Sequence, residues 1–178
     1  MKMKIVQLTL SIGLTLGAAL SAHADPQILY SSSNHKFTEV NNPTLGAGWQ
    51  DEKGVVWYDL VVANEQTQNL CPNAKLGEPC TMTQQKAEAY CNGIVDANGT
   101  QIARLPSKAN FDDLASFLGF GSDSGYVAEI IPNLDDRFFC SSSVDSSSGG
   151  YPWGFNGASG GTGAGLRNGH CSVRCVGR

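Results

Sequence analysis

The sequence predicts an α+β domain, on three observations: two amphipathic helical patterns in its middle, several short β-type segments placed mostly after them, and six cysteines. No internal repeat is present. The last forty residues, Phe139 to Arg178, hold a Ser- and Gly-rich stretch pinned between cysteines. A segment of that composition gains little helix propensity or burial and would be disordered if free. Fastened at both ends, it is expected to be a displayed loop.

The first 24 residues stand apart. Met1-Lys2-Met3-Lys4 is basic, Ile5 to Leu20 is apolar, and Ala22-His23-Ala24 is an A-x-A cleavage signature before Asp25. This reads as a secretory signal peptide, residues 1–24. The apolar run is short for a membrane span and is broken by Ser11, Gly13, Thr15 and Gly17. No cysteine follows it to carry a lipid.

Asp25 to Arg178 are 154 of the 178 residues, enough to bury a core as one domain. Lys2 and Lys4 leave with the signal, so ten basic residues face sixteen acidic ones and the net charge is −6. That balance, without basic clusters, argues against nucleic acid and anionic membranes as partners. The cysteines at 71, 80, 91, 140, 171 and 175 meet an oxidising compartment on export, which implies three disulfides. A zinc site is disfavoured because there is no C-x-x-C pair and only His35 and His170 remain. Spacing does not choose among the fifteen pairings open to six cysteines.

Pro26 to Gly48 is polar, with turn signals at Asn41-Asn42-Pro43 and Gly46-Ala47-Gly48; it reads as a leader, residues 25–48, or an N-terminal strand. Gly54 to Val62 is β-branched and aromatic, the strongest strand signal. Cys71 to Cys80 encloses a Pro- and Gly-containing loop whose ends suit a local disulfide. Thr81 with Gln84 predicts a capping box for a first helix, whose apolar face is Ala87, Tyr90, Cys91 and Ile94. Asn92-Gly93 and Asn98-Gly99 are turns, and Gln101 to Leu105 is an extended link. A second helix begins at Ser107, buries Phe111, Leu114, Ala115 and Leu118, and stops at Gly119. Gly121 to Gly125 is then a turn, Tyr126 to Ile131 is extended, and Arg137 to Cys140, Trp153 to Phe155 and Ser172 to Val176 are short strands.

The order of several motifs resembles a known family. Trp49-Gln50-Asp51 with Gly54-Val55-Val56-Trp57, Ala87-x-x-Tyr90-Cys91, Ala103-Arg104-Leu105-Pro106-Ser107-Lys108-x-x-Phe111, Ile131-Pro132-Asn133-Leu134, Phe138-Phe139-Cys140-Ser141-Ser142-Ser143, Gly154-Phe155-x-Gly157 and Val173-Arg174-Cys175-Val176 carry it. They look like the bacterial secreted family containing the C-terminal domain of the Legionella collagen-like adhesin, to which the Fibrobacter major paralogous domains are similar. The resemblance covers residues 49–178. It implies a C-type-lectin-like fold, related in architecture to formylglycine-generating enzymes, with Cys91 paired to Cys175, Cys140 to Cys171, and Cys71 left with Cys80. Phe139 departs from the Trp common in that family, and Cys140 is often missing there.

Catalytic signals are sparse. Asp123-Ser124-Gly125 resembles a serine-protease nucleophile loop, but His35 and His170 lack a matching context, and a polar turn is the simpler reading. Asp112 with Asp113, and Asp135 with Asp136, are adjacent carboxylates of the kind that usually face solvent. Formylglycine-generating relatives use a reactive cysteine pair, whereas the implied pairing occupies every cysteine. Sugar-binding C-type lectins hold Ca²⁺ with Glu-Pro-Asn-type and Trp-Asn-Asp tripeptides. Here only Pro132-Asn133 remains and Trp153 precedes Gly154, so no cofactor is implied, and nothing in the sequence supports a structural Ca²⁺ at Asp135 and Asp136.

Within residues 141–170, Asp145, Tyr151, Trp153, Asn156, Arg167, Asn168 and His170 are the large or hydrogen-bonding side chains. Rigid aromatics among small polar residues suit a recognition surface. Strand alternation puts Tyr151, Trp153 and Phe155 on one side, with Phe155 in the core and Trp153 open between core and surface. The expectation is an exported, non-catalytic recognition domain, in the periplasm, on the outer surface or outside the cell, binding a glycan or surface protein in adhesion or contact with a host or prey. A structural envelope protein and a formylglycine-generating-type enzyme are the alternatives.

Overall fold

A computed structural model describes residues 25–120, 130–134, 137–147, 149–165 and 169–177. It is α+β, with two helices among the described residues, two sheets and three disulfides.

The first sheet begins in the segment with the weakest sequence signal. β1 (Ile28–Tyr30), β2 (Lys36–Asn42) and β3 (Gly46–Gln50) form an antiparallel meander that pairs with β4 (Val56–Leu60). Of the two readings of residues 25–48, the strand holds, and the boundary expected at Trp49 falls inside β3. The pattern was faint because Phe37 is the fully buried residue of a β2 otherwise made of polar side chains and Val40. Asn42 closes the β2–β3 turn, its Oδ1 accepting from the Thr44 and Leu45 amides at 2.8 and 3.1 Å.

Asp51 organises the next turn. Its carboxylate accepts from the Lys53 and Val55 amides at 3.0 and 2.9 Å and from the Trp57 indole at 2.9 Å. Both Asp51 and Trp57 are buried, and those bonds satisfy them. β11 (Arg174–Gly177) enters between β4 and β6 (Ala103–Arg104), antiparallel to both, giving the order β1-β2-β3-β4-β11-β6. Arg174 is fully buried there and donates to the Tyr58 and Pro132 carbonyls. Desolvation pulls its pKa down to about 10, with Asp59 opposing, so the guanidinium is still charged at neutral pH.

The second sheet corrects the expectation of a displayed loop. β7 (Phe138–Asp145) continues past Cys140, and with β8 (Tyr151–Asn156) and β9 (Thr162–Ala164) it makes an antiparallel meander. β10 (Cys171–Ser172) runs parallel to β7, and β5 (Thr81–Met82) completes the order β5-β10-β7-β8-β9. Ser and Gly carry weak strand propensity, but backbone pairing does not need large side chains. Gly154 is required: a Cβ there would lie 1.7 Å from Phe138 Cε1.

α1 (Gln84–Asn92) starts at Thr83, with no side-chain cap. Thr81 is therefore not the cap: it pairs with Ser172 in β5, and Gln84 donates to the Ser141 and Ser143 carbonyls at 2.6 and 3.3 Å. Ala87 and Cys91 are buried as expected, while Tyr90 and Ile94 are partly so. α2 (Lys108–Leu118) has the expected Ser107 cap, reciprocated by Asn110, and ends on Gly119 at φ 67°. Phe111, Leu114 and Leu118 are buried, joined by Phe117, and Ala115 is partly buried. The expected turn at Gly121–Gly125 and most of the extended segment at Tyr126–Ile131 lie outside the described residues; Ile130 and Ile131 are buried and not in a strand.

Phe111 bridges the sheets, stacking on Phe155 at 4.6 Å and tilting against Trp57 at 5.6 Å. A second cluster gathers all six cysteines with Met82, Ala87, Ala103, Leu105 and Val173. The bonds within it are Cys71–Cys80, Cys91–Cys175 and Cys140–Cys171, the pairs that the family resemblance implies.

Their sequence separations, 9, 84 and 31, set an order of stabilisation. Replacing each pair by alanines is expected to cost about 4 to 5 kcal/mol for Cys91–Cys175, about 3 to 4 for Cys140–Cys171 and about 2 to 3 for Cys71–Cys80. Urea unfolding checks the order, and equal losses would contradict it. Gly154→Ala is expected to lower the melting temperature because the Phe138 ring must move, a shift that thermal denaturation by circular dichroism would reveal.

Candidate functional site

The β7–β8 register builds an exposed face. Asp145 lies directly opposite Tyr151, and Phe139 opposite Phe155. Alternation along β8 puts Tyr151, Trp153 and Phe155 on the side covered by α2. Phe155 is fully buried against Phe111 of α2, while Trp153 lies against Lys108 at the helix start and, like Tyr151, is partly exposed. Asp145, Tyr151 and Trp153 thus form one continuous surface at the hairpin end of the sheet.

α2 contributes to that surface from its first turn. The Lys108 amide donates to Ser143 Oγ at 3.0 Å, docking the helix start on β7. Lys108 Nζ lies 4.9 Å from the Trp153 ring centroid and 2.6 Å from Asp112 Oδ2. Thr162 of β9 donates to Asp112 Oδ1 at 3.0 Å. The ammonium over the indole is therefore held by a carboxylate, which a hydroxyl holds in turn. Each Asp112 oxygen keeps spare lone-pair capacity toward a ligand hydroxyl. An aromatic face edged by oriented polar groups can stack an apolar ring face and hydrogen-bond its substituents.

The other expected residues divide. Asn156 is occupied in its own turn, its Oδ1 accepting from the Ala158 and Ser159 amides at 2.9 and 3.1 Å. Asp145 also shapes its hairpin, accepting from the Ser147 amide and hydroxyl at 2.9 and 2.6 Å. Arg167 and Asn168, like Asp135 and Asp136 and the Asp123-Ser124-Gly125 turn, lie outside the described residues. His170 is exposed but belongs to the opposite end of the sheet. Ser172 pairs with Phe139 in parallel, so His170 stands near the start of β7, roughly 20 Å along the strands from Tyr151.

No family model, curated protein or solved structure matches the chain. The site therefore rests on its own geometry. The sequence reading assigned none of Lys108, Asp112 and Thr162 to this surface, although the i, i+4 spacing of Lys108 and Asp112 is visible there. Asp112 was read as a solvated face, which it is in part; what the helix pattern lacks is any sign that this face meets β8 and β9. Asp113 points elsewhere, pairing with Lys53 at 2.7 Å. Among the described residues no group of three or more His, Cys, Asp or Glu could hold a metal ion, and no helix is long and apolar enough to cross a membrane.

The two aromatics of β8 should separate on truncation. Phe155→Ala is expected to cost about 3 to 5 kcal/mol, as for a fully buried ring, and Trp153→Ala less than about 2. Chemical denaturation of the two variants measures the difference; a Trp153→Ala loss as large as that of Phe155→Ala would mark Trp153 as core.

Proposed function

We propose that this chain is an exported, disulfide-bonded recognition domain of C-type-lectin-like architecture, which binds a glycan or surface protein through the Asp145–Tyr151–Trp153 face in adhesion or contact with another cell. The observation that carries the reading is the partly exposed Trp153 with Lys108 over its ring, Lys108 being held by Asp112 and Asp112 by Thr162, on a sheet that a disulfide holds at Cys140 and Cys171. Rigid aromatic anchors lose little entropy on binding, and a fixed scaffold lowers the cost further. The architectural part is supported by the Cys91–Cys175 bond from the first helix to the last strand, which is the bridge the resemblance implies. Three disulfides fit an exported chain.

The enzyme alternative needs a reactive cysteine pair, and all six cysteines are bonded and buried. Thiol labelling of the native protein distinguishes the readings: two reactive thiols per chain would favour the formylglycine-generating type.

Glycan-array and surface-protein pull-down screens test the binding face directly. Ligands found with wild type are expected to be lost, by roughly tenfold or more, in Tyr151→Ala/Trp153→Ala. Binding unchanged in that double variant would remove the site, and silence of the wild type in both screens would favour a structural envelope role.

A further inference from the structure

A groove of about 360 Å³ lies by the β5–β10 edge of the second sheet, across the sheet from the β8–β9 edge, lined by Leu70, Pro72, Asn73, Thr81, Lys86 and His170, among others. Each of its walls is held by a different disulfide. Cys71–Cys80 closes the loop that carries Pro72 and Asn73 and fixes the residue next to Leu70. Gln68 reinforces it, donating through its amide to the Ala74 carbonyl at 2.9 Å. Cys91–Cys175 ties down α1, which presents Lys86, and Cys140–Cys171 fixes the residue next to His170. Thr81 is held by its pairing with Ser172. A site built in this way is formed before a ligand arrives, so little ordering is required on binding.

The charge in the groove has no evident structural use. The mature chain is acidic, and Lys53, Lys108 and His35 each meet a carboxylate. Lys86 and His170 have no such partner among the described residues. Lys86 stands in the first turn of α1, where a cation opposes the helix dipole, so helix stability does not explain it. An ammonium and an imidazole lining one groove, with the Asn73 amide, the Thr81 hydroxyl and the apolar surface of Leu70 and Pro72, complement a carboxylate on a small hydroxylated ring.

We propose that this groove is a second binding site, separate from the Trp153 face, for a small acidic saccharide of the uronic-acid type. Lys86 and His170 engage the carboxylate, Asn73 and Thr81 the hydroxyls, and Leu70 and Pro72 the C–H face of the ring. At about 360 Å³ the space suits one or two sugar rings.

Chemical-shift titration of the isotopically labelled folded protein tests this, with D-glucuronate, D-glucose and acetate as probes. Glucuronate is expected to shift the resonances of Asn73, Thr81 and His170, and to bind at least roughly tenfold more tightly than glucose, which lacks the carboxylate, or acetate, which lacks the ring. Lys86→Gln and His170→Gln, both at exposed positions, should each weaken glucuronate by a similar factor, while Trp153→Ala leaves it unchanged. The proposal fails if glucuronate causes no shifts there, if glucose or acetate matches it, or if Lys86→Gln binds as wild type. It also fails if Trp153→Ala abolishes the response, since the signal then comes from the other face.

Discussion

The disulfide from Cys91 to Cys175 is the constraint on which the rest of the structure depends. It joins α1 to β11 across 84 residues, and β11 lies between β4 and the edge strand β6 of the first sheet. Without that closure β11 would have to find its slot against the entropy of a long loop. With it, Val176 reaches the core beside Trp57 and Phe111, and Arg174 is carried to the Tyr58 and Pro132 carbonyls. Burying that guanidinium is costly, and two carbonyl acceptors with Asp59 nearby offset part of the cost.

From β11 the chain's order propagates backward into the second sheet. Val173 separates β10 from β11, so the strand that completes the first sheet also delivers Cys171 to Cys140 and Ser172 to Phe139. The glycine-rich meander between those cysteines is thus anchored at its root, and α2 covers it through Phe111 and Phe155. Trp153 lies where α2 begins, with Lys108 over its ring, and is partly exposed there, as is Tyr151. The two candidate sites share this framework yet lie by opposite edges of the second sheet, one at β8 and β9 and one at β5 and β10, where three disulfide-held segments meet.

Much of the candidate site was legible, and its limits are instructive. Asp145, Tyr151 and Trp153 were readable as a surface because large side chains in a Ser and Gly background have few reasons to be there. Asn156 carried the same signal but caps a turn, a use that residue type serves equally well. His170 is near Trp153 in sequence and far from it in space, because β10 pairs with the far edge of β7 and runs parallel to it.

By itself the sequence determined the local features: the Ser107-to-Gly119 helix with its cap and stop, the strand around Trp57 and the buried faces of both helices. These follow from interactions between residues close in the chain. Tertiary structure decided whether residues 25–48 were strand or leader, whether the Ser and Gly run was loop or sheet, and which side chains join Trp153. Each of those depends on backbone hydrogen bonds or packing to partners distant in sequence, and weakly patterned residues adopt whatever conformation the partner offers.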